Sequence, residues 1–263
     1  MITPQEAGVP PGIEAFLLAL IFTSLRTGAA LALLPALGGQ LIPVRVRIGL
    51  SGAVGWLVIG SGQAPAPPQE LLSLAGFAAI AGELLIGLAA ALALHTAFAV
   101  ALAAGDWLAQ SMGLGFAQLI DPTTPQAPVL SGLFAMLMWV LLLTGGGHLV
   151  FLDILVRSYA ALPSAAALFD PGRLSAIVGW GGYALASAFV AALPMGAALL
   201  LVNLSIGVAA RSAPQLNLFS IGFPMMLLIG LIALPLALPA LSASFQGALT
   251  GTQTRLAEVL LGG

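Results

Sequence analysis

Apolar residues run almost unbroken along this chain, and the gaps between the runs are made of proline, glycine and short polar stretches. Crossing about 30 Å of hydrocarbon takes roughly 20 helical residues. Runs of that length or more cover 13–37, 44–62, 71–104, 128–156, 174–209 and 216–249. The pattern predicts an all-α fold: a polytopic membrane protein with six hydrophobic segments. The third to sixth exceed one crossing, so each is expected to be tilted, broken or folded as a helical hairpin. Breaks fall at Pro35 with Gly38 and Gly39, at 63–69 with Pro65, Pro67 and Pro68, and at 121–128 with three prolines. Pro163 and Pro171 bracket another connection, and Arg211 to Pro214 a fifth. Pro194, Pro224, Pro235 and Pro239 lie inside apolar runs and are expected to kink them.

Composition sharpens this reading. The 263 residues are 60% hydrophobic and 6% charged, with a mean hydropathy of +1.11, whereas soluble domains carry about a quarter charged residues. No polar block is large enough for a separate domain, so residues 1–263 read as a single integral-membrane domain. The start of the chain has Glu6 and Glu14 but no basic residue, unlike a cleaved signal peptide, so the first apolar segment is expected to stay in the mature protein. Glycine, at 32 residues, and alanine-rich stretches such as 75–93 and 184–198 suit close helix packing. Under simple alternation Arg45, Arg47 and Arg211 would face Arg157, Arg173 and Arg255, a tie that leaves orientation open.

Charge and residue inventory then narrow the chemistry. The net charge is -2, with no lysine and no cysteine. That removes a basic patch for nucleic acid, a P-loop lysine, a Schiff-base lysine and thiolate chemistry. His95 and His148 form no metal-ligand spacing, and no G-x-S-x-G elbow occurs. Both histidines read as structural, and no catalytic, metal or cofactor-binding residue is expected. Arg26, Glu83 and Asp106 are the ionisable residues expected at membrane depth, where an unpaired charge is costly. Two readings stay open: ion pairing inside a helix bundle, or coupling groups of a proton-coupled small-solute secondary transporter with Glu83 and Asp106 in that role.

The stretch Gln110 to Gln118 (QSMGLGFAQ) is apolar yet glycine-interrupted. Each interior glycine costs a helix about 1 kcal/mol relative to alanine, while its Met, Leu and Phe suit burial. It fits either an irregular segment in a protein-lined cavity or an ordinary helix end packed on a bundle. Arg211 to Phe219 reads as a polar turn between two apolar helices, with Pro214 starting the second and the amides of Gln215 and Asn217 suited to bonds across an interface.

The run Asn203 to Pro224 (NLSIGVAARSAPQLNLFSIGFP) resembles the signature of the FliR family of flagellar export proteins and its injectisome counterparts. Supporting matches are Pro35 to Arg47, Gly82-Glu83 with Gly87, Gly105 to Pro122, and Gly146 to Pro163. The resemblance implies a non-enzymatic subunit of a type III export gate in the inner membrane, at the flagellar basal body. Its implied partners are FliP-like and FliQ-like subunits, with FlhB and FlhA nearby, membrane lipid, and unfolded export substrates in transit. In the family the assembled helices wind into a cone, which suits the balanced arginines and overlong segments. The resemblance also assigns Met112, Gly113, Leu114, Gly115, Phe116 and Ala117 to a pore plug. Arg211, Pro214, Gln215, Asn217 and Phe219 then read as subunit-packing residues.

Overall fold

The chain is described from a computed structural model covering residues 12–35, 43–68, 73–115, 129–212 and 222–262. Among these residues it forms seven α-helices and no strand. They are α1 (Ile13–Ala32), α2 (Val44–Gly60), α3 (Leu74–Ser111), α4 (Val129–Thr144), α5 (Gly147–Ala161), α6 (Pro171–Ser212) and α7 (Phe223–Ala257), with a 3-10 turn Ala165–Phe169 before α6 and a π turn Glu258–Gly262 after α7. Each predicted apolar run holds helix. The fold is that of an all-α polytopic membrane protein.

Local chemistry sets several ends. Ser73 accepts from the Gly76 N–H at the start of α3 through its hydroxyl, 3.0 Å. Asp170 caps α6, its carboxylate accepting from Gly172 N at 2.9 Å and Arg173 N at 3.3 Å, and Pro171 fills the first helical position, where no N–H is needed. The fourth apolar run is broken as expected: α4 stops at Thr144 and α5 starts at Gly147, with Gly146 at φ +69° between them. The third, fifth and sixth runs do not fold back. α3, α6 and α7 are continuous helices of 38, 42 and 35 residues, with Pro194 inside α6 and Pro235 and Pro239 inside α7. In apolar surroundings a backbone group freed by proline gains nothing from leaving the helix, so neighbours take it up instead. Pro224 is the second residue of α7 rather than an interior kink.

Among the described residues, four helices are long and apolar enough to cross a membrane, and the pair α4 and α5, taken as one broken span, makes a fifth. α2 falls short: its 17 residues rise about 25 Å. α6, with 42 residues, rises about 63 Å, roughly twice the hydrocarbon thickness.

The chain forms two compact units: Met1–His95, His148–Trp180 and Thr252–Gly263 make the first; Thr96–Gly147 and Gly181–Gly251 the second. In the first, α1 buries one stripe, Phe22, Thr23, Arg26, Thr27, Ala30 and Leu31, at the helical repeat. α1 and α2 meet through small residues: a Cβ on Gly55 would lie 2.8 Å from Ser24 Oγ, and the Thr27 hydroxyl donates to the Ser51 carbonyl at 3.3 Å. In the second unit, Phe134 of α4 and Phe245 of α7 meet edge to face, with ring centroids 5.4 Å apart.

Candidate functional site

The first unit is organised around a buried charge. Arg26 on α1 is 0% exposed and Glu83 on α3 is 3% exposed. Arg26 Nε and Nη2 donate to the two Glu83 oxygens, each at 2.9 Å, in a bidentate pair. Nη1 donates to Ser158 Oγ at 3.0 Å and Nη2 also to the Leu162 carbonyl at 2.8 Å. The guanidinium lies 4.2 Å from the centroid of the Tyr159 ring, a cation–π geometry, and the Tyr159 hydroxyl donates to the Thr23 carbonyl. One arginine thereby ties α1 to α3, to α5 and to the residue that follows α5.

Gly87 makes this approach possible. It sits one turn beyond Glu83, and a Cβ there would run into the Arg26 carbonyl and lie 2.8 Å from Ala29 Cβ. His95, on the same helix, hydrogen-bonds through Nε2 to the Leu33 carbonyl. His148 lies in the first turn of α5.

Asp106 departs from the expectation of burial: it is exposed, on the second unit's part of α3, and accepts a hydrogen bond from the buried Ser131 hydroxyl of α4. The physical reason is angular. Ala104, Gly105, Leu108 and Ala109 form the buried stripe, which turns the Asp106 position outward at 100° per residue. Gly105 is the inward neighbour, and a Cβ on it would fall 2.5 Å from Ser131 Cα.

The end of α3 is also in the second unit, and here the glycine-interrupted stretch begins. Gly113 N donates to the Gln110 carbonyl and Leu114 N to the Ala109 carbonyl, each at 3.0 Å. With Gly113 at φ +80°, this is a Schellman stop, which needs a residue free to adopt the left-handed conformation. Met112 is 1% exposed, whereas Leu114 and Gly115 are half-buried. Phe116 and Ala117, also expected in the plug, lie outside the described residues. Beside this helix end a groove of 640 Å³ runs between α3 and α6, lined by Trp107, Gln110, Ser111, Phe189, Leu193 and Leu200 among others.

Arg211 lies exposed in the last turn of α6. Pro214, Gln215, Asn217 and Phe219, expected with it to pack subunits, fall outside the described residues. Sequence reasoning missed Ser158, Tyr159 and Leu162 as partners of Arg26. The only signal was that they lie within Gly146 to Pro163, a stretch already distinctive in the sequence.

The architecture is that of a helical membrane protein with a buried, internally neutralised charge pair and a glycine-stopped helix end. Compared with known proteins, residues 17–252 match the family model described as bacterial export proteins, family 1. The chain is similar to the flagellar biosynthetic protein FliR of Escherichia coli, 33% identical over 84% of each chain. It is similar to FliR of Pectobacterium carotovorum, 32% identical over 89% of this chain and 90% of that one, and of Aquifex aeolicus, 30% identical over 87% and 88%. The chain belongs to the FliR family of bacterial export proteins, and it is a membrane-embedded component of flagellar protein export.

Proposed function

We propose that this chain is a structural, channel-forming subunit of the flagellar type III export gate in the inner membrane. Packed with FliP-like and FliQ-like subunits and adjoining FlhB and FlhA, it acts as one integral-membrane unit through which unfolded substrates pass. The segment Met112 to Ala117 plugs the pore, and Arg211, Pro214, Gln215, Asn217 and Phe219 pack against neighbouring subunits. The export energy comes from elsewhere in the apparatus.

The observation that carries this reading is the uncovered apolar length of α6. Leu174, Val178, Leu185, Leu200, Leu204 and Val208 along it are all exposed. From Leu174 to Val208 is about 51 Å of helix, more than one crossing of about 30 Å of hydrocarbon can cover. Companion helices supply the remaining cover. The alternative, a proton-coupled solute transporter with Glu83 and Asp106 as coupling groups, would need Glu83 to take up and release protons. Both of its oxygens are held by Arg26, which favours the static role.

Affinity purification of the tagged chain from native membranes tests the proposal. A large hetero-oligomer containing FliP-like and FliQ-like subunits is expected. Recovery as a lone monomer that takes up a small solute after reconstitution would overturn it.

A further inference from the structure

The segment read as the plug starts at a residue that is firmly seated. The Met112 side chain fills the space over Gly230 of α7: a Cβ on Gly230 would lie 2.5 Å from Met112 Cγ and Cε and 2.8 Å from its Sδ. Three atoms along the side chain meet this one position, so even an alanine at 230 would have to displace the length of the side chain and not merely its tip. Methionine is unbranched and shapes itself to irregular gaps, which suits a socket whose floor is bare backbone.

Two further contacts hold the same helix end. Asn203 of α6 donates through Nδ2 to the Ser111 carbonyl at 3.3 Å, satisfying one of the acceptors that a helix C-terminus leaves open. Leu108, fully buried, packs over Gly196 of α6, where a Cβ would sit 3.7 Å from Leu108 Cδ2. The next residue after Met112 is Gly113, at φ +80°. The helix is thus fixed through Met112 and stops at the next residue.

We infer that Gly230 is the seat that holds the plug closed through Met112, with Asn203 as a second tie on the same helix end. Both are positioning residues: they fix where the plug leaves α3 and take no part in the seal itself. This rests on reading Met112 to Ala117 as the plug. Closure then depends on a knob in a hole, a contact that lateral movement of α7 against α3 releases without breaking a strong directional bond.

The test uses the complete export gate, purified with all its subunits and placed in a planar bilayer, with ionic current read in the absence of substrate. Gly230→Ala is expected to raise the leak about tenfold, the change that about 1.4 kcal/mol against the closed state produces. Met112→Ala removes the knob and also raises the leak, but Met112→Ala with Gly230→Ala leaks no more than Met112→Ala alone, because the added methyl then meets nothing. Asn203→Ala gives a smaller rise. A Gly230→Ala gate as tight as wild type overturns the seat, and so does an effect of equal size in the Met112→Ala background. If Gly230→Ala prevents assembly, the double variant is expected to restore it, and failure to do so overturns the seat. Deleting 112–117 in the same bilayer separates the two claims. A leaky deletion beside a tight Gly230→Ala gate defeats the seat alone; a silent deletion defeats the plug and the seat together.

Discussion

Arg26 with Glu83 in the first unit and Met112 with Gly230 in the second both fasten α3 to a neighbouring helix, and they do so with opposite materials. The first uses four charge-assisted or polar hydrogen bonds from one guanidinium, all within 3.0 Å. The second is a thioether on a bare backbone. Directional bonds to a buried charge fail all at once, because any lost partner leaves a charge without solvent. A shape contact gives way gradually, through many small dispersion terms. The polar fastening suits a part that must stay fixed, and the apolar one suits the proposed plug, whose opening would require movement.

Removing half of the ion pair tests the rigid side of this contrast most strongly. Glu83→Gln keeps the size but leaves Arg26 uncompensated, and is expected to cost about 3–5 kcal/mol. Most of the folded chain should be lost from membranes, as read by yield and by thermal unfolding in detergent. Replacing both residues by apolar ones of similar volume is expected to recover much of that loss. Unchanged stability in Glu83→Gln would remove the pair from its structural role.

Gly87→Ala tests the geometry that lets the pair form. Its new Cβ meets the Arg26 carbonyl and Ala29 Cβ, and overpacking of this kind costs about 1–3 kcal/mol. A lowered unfolding midpoint is expected, without the collapse in yield. Tyr159→Phe is milder still: it keeps the ring beneath the guanidinium and removes the hydroxyl that bonds to the Thr23 carbonyl. A loss of about 1 kcal/mol follows, and a larger one would mean that the hydroxyl, not the ring, supports the arginine.

The helices themselves were legible because apolar runs and proline- or glycine-rich gaps report directly on membrane length. The break in the fourth run was legible for the same reason, since Gly145, Gly146 and Gly147 interrupt it. Partnership was not. Arg26 and Glu83 are separated by 57 positions, and no periodicity connects α1 to α3. Helices that are apolar all round give no inward face to read, which is why the outward direction of Asp106 was not legible, and why nothing marked Gly230 out from the other glycines in its run. The Schellman stop at Gly113 was half visible: glycine after an apolar run announces a helix end, whereas the seating of Met112 depends on what α7 brings beside it.

Current through the reconstituted gate, compared between the wild-type chain and one lacking 112–117, bears most directly on the central claim that this subunit seals a protein-conducting pore. The account predicts a tight wild-type gate and a persistent ionic leak in the shortened one at equal recovery of the complex. Equal, low currents through both assemblies would contradict it.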